Sequence, residues 1–118
     1  MSGVVETFLE AMVANDWEAM GACVADDVVR VGPFGDTYRG RADYVAFLSE
    51  LMPTLPGYRM DVERVVYAEG GRFATAELSE TVDIDGAPLR TPESLVFDFD
   101  EAGRIGHLAI YIQRLDNA

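Results

Sequence analysis

Cysteine, histidine and long apolar runs are all scarce in this chain, and each scarcity removes a class of function. The single cysteine, Cys23, cannot close an internal disulfide, which fits a reducing compartment. It falls at helical spacing from Met20, the place of a buried structural thiol rather than a nucleophile. With one histidine, one cysteine and no Asp-rich loop of calcium spacing, nothing is left from which to build a metal site. No apolar run approaches the ~20 residues of a membrane-spanning helix. Met1-Ser2-Gly3 lacks the basic flank and apolar stretch of a secretory leader, so the cytoplasm is the expected compartment. Basic residues are outnumbered as well: 9 against 21 acids, for a net charge of −12. That field repels phosphate backbones and anionic lipid, so neither nucleic acid nor a membrane is an expected partner. The acids are spread along the chain, where they serve solubility.

What is present is the composition of an ordinary globular protein, and 118 residues suffice to bury one core. There is no repeat, no low-complexity stretch and no linker, so one domain over residues 1–118 is expected. Val5, Phe8, Leu9, Met12 and Val13 recur at i, i+3, i+4, i+7 and i+8, an amphipathic helix with one buried stripe. Asn15, with Glu18 three residues on, is a capping pattern for a second helix. That helix turns Trp17, Met20 and Val24 inward and stops at Asp26-Asp27. Residues 28–32 read as a short strand ended by Gly32-Pro33-Phe34-Gly35. A third helix after Gly40 carries Tyr44, Phe47, Leu48, Leu51 and Met52 on one side, until Pro53 and Pro56 break it. From Tyr58 the period changes to two. Strands over 58–67, 72–84, 89–99 and 104–113 are separated by Glu69-Gly70-Gly71, Asp85-Gly86 and Asp100-Glu101-Ala102-Gly103. Helices first and an antiparallel meander afterwards make an α+β fold.

This order, with Phe8-Leu9-Glu10-Ala11, Asn15-Asp16, Asp26-Asp27-Val28, Tyr38-Arg39-Gly40-Arg41-Ala42 and Asp100-Glu101-Ala102-Gly103-Arg104-Ile105, resembles the NTF2-like superfamily and within it the SnoaL-like branch. The resemblance spans nearly the whole chain. It implies a cone in which three N-terminal helices pack on a curved, mainly antiparallel sheet around a pocket. It does not imply one activity, because ketosteroid isomerases, epoxide hydrolases, polyketide cyclases, dehydratases and pure ligand binders share the fold. Ketosteroid isomerases carry an aspartate base, a tyrosine donor and a buried acid where this chain has Gly32, Phe8 and Leu95. Steroid isomerisation by that mechanism is therefore not expected. The epoxide hydrolases need an aspartate on the last strand, which here reads Leu108-Ala109-Ile110-Tyr111-Ile112. The characterised cyclases rely on a histidine and an aspartate, and the one histidine is His107.

Strand alternation selects the inner face without reference to any family. Ala74, Ala76, Leu78, Val82 and Ile84 share a face with Glu80; Leu89, Leu95, Phe97 and Phe99 share one with Thr91 and Glu93. A hairpin turning about Gly86-Ala87 sets Glu80 opposite Glu93. A turn at Asp85-Gly86 pairs Glu80 with Thr91 and leaves Glu93 diagonal. Either register brings two carboxylates together in an apolar site, where at least one pKa rises and the pair titrates as a unit. Arg30, alternating with Val29 and Val31, also points inward in this pattern, and an ion pair with one Glu would hold that Glu charged. Glu80, Glu93 and Arg30 are thus the candidate catalytic set. A β-bulge would instead turn Glu80 outward, and pairing to Arg30 or Arg90 would give it a structural role.

On the last strand Leu108, Ile110 and Ile112 form the more apolar face, so His107 falls on the outer one with Ile105, Ala109 and Tyr111. Phe8, Trp17, Phe47, Leu78, Val82, Leu95, Phe97, Leu108, Ile110 and Ile112 are the expected pocket lining. Tyr38 and Tyr58, at element ends near the mouth, are possible hydrogen-bond donors. The function expected is cofactor-independent acid–base chemistry, of isomerase, cyclase or dehydratase type, on a small apolar or carbonyl-containing metabolite. A ligand-binding or interaction module without turnover is the alternative, and epoxide opening a third. A homodimer through the outer sheet face is expected, since that face mixes Phe73, Val96, Ala109 and Tyr111 with polar groups.

Overall fold

The computed structural model describes residues 3–113. The first two residues, on which the leader reading rests, and residues 114–118 lie outside that range.

Helix α1 runs Val4–Val13 and buries Val5, Phe8, Leu9, Ala11 and Met12. Val13, expected in the same stripe, is exposed, and Ala11 takes its place inside. The helix stops because Asn15 turns left-handed, at φ 56°. Asp16, not Asn15, then caps α2 (Trp17–Ala22), its Oδ1 accepting from the Ala19 amide at 3.1 Å. Helix α2 is shorter than its apolar pattern suggested. Cys23 closes it, its buried Sγ donating to the Ala19 carbonyl at 3.4 Å, and burial pushes the thiol pKa up.

Val24 therefore begins a strand instead of ending a helix: β1 is Val24–Val31, starting four residues before the expected position. The register shift between Val24 and Val29 lets Asp26 and Asp27 bulge into solvent. The tight Gly32–Asp36 turn then returns the chain as β2 (Thr37–Arg39), which pairs antiparallel with β1. At three residues β2 is too short to show alternation, and sequence periodicity did not reveal it. Gly40, at φ 92°, sets the N-terminus of α3 (Arg41–Leu51), which buries Tyr44 and Leu48 and passes into a 3-10 turn, Met52–Thr54, at Pro53.

The long strands follow as β3 (Arg59–Tyr67), β4 (Phe73–Ile84), β5 (Ala87–Phe99) and β6 (Ile105–Ile112). Asp85 and Gly86, at φ 52° and 84°, make the two-residue turn between β4 and β5. The sheet has six strands in the order β2-β1-β6-β5-β4-β3 and is mixed, because β1 lies parallel to β6. The fold is thus α+β as expected, with β1 between the second and third helices as the sequence suggested; β2 is the addition, and together they complete the sheet beside the meander.

Phe8 packs edge-on to Phe97, ring centroids 6.0 Å apart and planes at 80°, and tilts against Tyr44 at 6.4 Å. With Leu78, Ala74, Ala76 and Leu108 these residues fill the space between α1 and the sheet. Each fully buried large side chain contributes about 1.5–3 kcal/mol. A bulge between Asp98 and Phe99 shifts the β5–β6 pairing, so that Ile105 is fully buried while His107 remains exposed. The two were expected to share the outer face. His107 does lie outside, its Nδ1 3.9 Å from Asp98 Oδ2.

Candidate functional site

At the end of the sheet away from the Phe8–Phe97 core, the inner faces of β4, β5 and β6 separate from α3. Between them is a cavity of about 410 Å³. Val82, Leu95, Ile110 and Ile112 supply apolar wall, and Phe34, Ile84 and Leu89 rim it. The rim is exposed, Phe34 by 71%, Leu89 by 56% and Ile84 by 50%. An apolar enclosure with a few convergent polar groups is the usual form of a small-molecule site. A larger groove of about 600 Å³ runs along α3 past Asp43, Phe47 and Glu50, but Arg30, Glu80 and Glu93 do not line it.

Arg30 enters the cavity from β1 with only 8% exposure. Its ion pair is with Asp36, Nη1 to Oδ2 at 2.7 Å, and not with either inner Glu as the sequence suggested. Desolvation works against the Asp36 carboxylate, but the hydrogen bond and charge of Arg30 hold its pKa below the ordinary value. A Cβ at Gly32 would overlap the tips of both side chains, so the pair would have to shift to admit one. The guanidinium lies 5.1 Å from the centre of the Phe47 ring and 5.8 Å from that of Tyr38, and the two rings stack at 4.1 Å. Its Nε is covered by protein and makes no hydrogen bond. The buried Tyr44 hydroxyl sits beside the guanidinium; burial raises its pKa, with Arg30 opposing.

Glu80 and Glu93 come from neighbouring strands. The Asp85-Gly86 turn pairs Glu80 with Thr91 and Glu93 with Leu78, the diagonal arrangement, and no bulge interrupts the β4–β5 ladder. Both carboxylates line the cavity. The Tyr58 hydroxyl donates a short hydrogen bond to Glu80 Oε2, and Glu93 is the diagonal neighbour of Glu80 across the β4–β5 ladder. Two carboxyl groups this close in an apolar site cannot both ionise cheaply, so one keeps its proton. Burial, then the Glu80 charge, push the Glu93 pKa up to about 9, Arg30 opposing only in part. Tyr58 is likewise raised, by burial and by Glu80. The result is a row from the Tyr58 hydroxyl through the Glu80 carboxylate to protonated Glu93, with one carboxyl able to give a proton and its neighbour able to take one.

Of the expected lining, Val82, Leu95, Ile110 and Ile112 face the cavity. Phe8, Leu78, Phe97 and Leu108 are at most 2% exposed and belong to the solid core, because α1 packs directly on that part of the sheet. Trp17 packs against the core from α2 without reaching the cavity, and Phe47 supports Arg30 from the side of Tyr38. Sequence reasoning missed Asp36 and the Tyr44 hydroxyl. Asp36 lies in the Gly32–Asp36 turn, where no periodicity marks its facing, and the register sets Tyr38 rather than Asp36 opposite Arg30. Among the described residues no three His, Cys, Asp or Glu side chains are grouped to hold a metal, and no helix is long and apolar enough to cross a membrane.

The family model of the SnoaL-like domain matches residues 5–107. No curated protein matches the chain. Among solved structures, a protein of ketosteroid isomerase-like fold from Catenulispora acidiphila, in complex with trimethylamine, has TM-score 0.78 at 19% identity over 92% of this chain and 83% of that one. An LEH-like epoxide hydrolase of M. tuberculosis has TM-score 0.78 at 24% identity, covering 93% of this chain and 80% of its own. A proposed polyketide cyclase from Xanthomonas campestris has TM-score 0.75 at 26% identity over 92% and 86%. Likeness at this level extends to the fold.

Proposed function

The chain belongs to the SnoaL-like domain family, and from that premise we propose that it binds a compact, largely apolar metabolite in the cavity and performs cofactor-independent acid–base chemistry on it. The reaction is an isomerisation, cyclisation or elimination beside a carbonyl. The observation that carries this reading is the pair Glu80 and Glu93, diagonal neighbours in an apolar cavity with Tyr58 on one carboxylate. In one turnover the protonated Glu93 gives its proton to the developing oxyanion while ionised Glu80 takes one from carbon. Glu80 then returns its proton to the carbon that completes the isomer as Glu93 takes its own back from the enol oxygen, which restores the pair. Arg30, neutralised by Asp36, limits the negative potential of the pair without joining it.

Binding without turnover is the second reading, favoured by the Catenulispora relative whose structure holds trimethylamine. Epoxide opening is less well supported, since Leu108–Ile112 on β6 brings no acid to the cavity. The test is thermal melting against a panel of steroid-sized, terpenoid and aromatic ketones. A true ligand at a hundred times its Kd stabilises by about 2.7 kcal/mol, a shift on the order of 10 °C for a domain of this size. If no member of the panel shifts the melt, the cavity is not a site for such molecules.

The same reading includes a homodimer through the outer sheet face. Tyr111 is 61% and Phe73 39% exposed there, beside the cross-strand row Thr75, Val96 and Ala109. Sedimentation at micromolar concentration is expected to give about twice the 12.9 kDa chain mass, and a value at the chain mass counts against the dimer.

A further inference from the structure

The cavity and its immediate surroundings hold one cation and three carboxylates, and we propose that the ligand supplies the missing positive charge: a compact alkyl amine bound as its ammonium, nitrogen against Glu80 and Glu93, skeleton on Val82, Leu95 and Ile110. This takes from the preceding reading only the location of the site: an ammonium leaves Glu93 ionised, so it occupies the cavity as a bound ligand and not as the substrate of the carbonyl chemistry.

Six titratable groups make up the pair and its surroundings. Arg30 comes from β1, Asp36 from the turn after it, Tyr44 from α3, Tyr58 from the residue before β3, and Glu80 and Glu93 from β4 and β5. Arg30 spends its Nη1 on Asp36, and its Nε is covered, so its charge is largely cancelled locally. The remaining balance is one negative charge while the Glu pair holds a proton and two when it does not. Apolar walls leave little water to solvate that excess, so it is costly. Even with Arg30 in the same cavity Glu93 retains its proton to about 9, so the guanidinium does not meet the need.

An ammonium group does. If the amine enters neutral, its lone pair forms an N–H bond as the Glu93 O–H bond breaks, and the proton stays in the site. If it enters charged, the Glu93 proton leaves to solvent. Either way the bound state is an ammonium beside two carboxylates, and no redox partner is involved. A carboxylate or phosphate ligand meets the opposite field, with Arg30 already occupied.

A neutral carbonyl ligand behaves differently. It needs Glu93 protonated as a donor, so its affinity holds at neutral pH and falls above about 9. The ammonium prefers the fully ionised pair, so its affinity rises as pH approaches that value.

The experiment is titration calorimetry of the whole protein with cyclohexylamine, cyclohexanone and cyclohexanecarboxylate, which share one ring. The amine is expected to bind at least ~10-fold more tightly than the other two at pH 7.5. Measured in phosphate and in Tris, which differ in ionisation enthalpy, binding should release roughly one proton per ligand. Glu93→Gln, verified as folded by its melt, should lose that proton release and bind the amine ~10-fold more weakly. Cyclohexanone binding as tightly as the amine, or amine binding with no proton released, overturns the proposal. In the first case acid–base chemistry on a carbonyl compound still stands. If none of the three rings binds, both readings fall.

Discussion

Glu93→Gln is expected to melt higher than the parent at pH 8 while turnover of any substrate found by screening falls by ~10²–10⁴-fold. The two effects have one cause. In the unfolded chain Glu93 ionises near its ordinary value, about 4.3; in the fold it holds its proton to about 9. A carboxyl whose folded pKa is raised favours the fold most below the unfolded value, and that contribution is lost as pH rises toward the folded one. At pH 8 most of it is gone, and the fold carries a group that the unfolded state would rather ionise. Glutamine keeps the shape and a hydrogen-bond donor and removes the titration. The expected gain is roughly 5–10 °C at pH 8, the shift that about 1–2 kcal/mol gives a domain of this size, and little or none at pH 4. Glu80→Gln removes the neighbouring charge, so the Glu93 pKa should drop while burial still holds it above the ordinary range, which NMR titration would record. Turnover unchanged in both variants removes the acid–base mechanism. A melting gain equal at pH 4 and pH 8 means that repulsion and burial are not what the glutamine relieved.

The carboxylate pair was legible because β4 and β5 are long and alternate cleanly, so their inner faces follow from period two alone. The remaining ambiguity was one of turn chemistry, and Asp85-Gly86 resolves it, both residues adopting the positive φ that a two-residue hairpin demands. Where period failed, a bulge or a short element intervened. Ile105 and His107 stand two apart and should share a face, but the shift between Asp98 and Phe99 separates them and puts Ile105 in the core. Cys23 and Val24 continue the apolar spacing of α2, yet pairing with Ile105 pulls Val24 into the sheet. Arg30 was correctly expected inside, but its partner was not. Asp36 lies in a turn, where spacing carries no information about facing, and only the return of β2 alongside β1 brings the two together. The division of the inner face into solid core and open cavity was equally hidden. Leu78, Phe97 and Ile112 have the same character and the same alternation, and what separates them is which helix lies above.

That division is the ground for the second large effect. Phe97→Ala is expected to destabilise the protein by about 3–5 kcal/mol, the usual cost of emptying an aromatic site in a packed core. Phe97 is fully buried, with Phe8 edge-on to it and Leu108 opposite it across the β5–β6 ladder. Its removal leaves a void whose walls cannot close unless α1 shifts inward onto the sheet. Ile112→Ala, on the same inner face, should cost only about 1 kcal/mol, within the ordinary range for point substitutions. Ile112 is half-buried and faces the cavity, so much of the space its side chain vacates is continuous with room already there. Urea denaturation of both variants measures the difference, with an unchanged m-value confirming that the native state alone has been altered. The distinction also reaches ligand binding: Ile112→Ala enlarges the site and should weaken a bound apolar probe, whereas a Phe97→Ala protein that still folds should bind it nearly as well as the parent. If the two substitutions cost the same, the boundary between solid core and open cavity lies elsewhere on the sheet, and the inner face is one continuous surface.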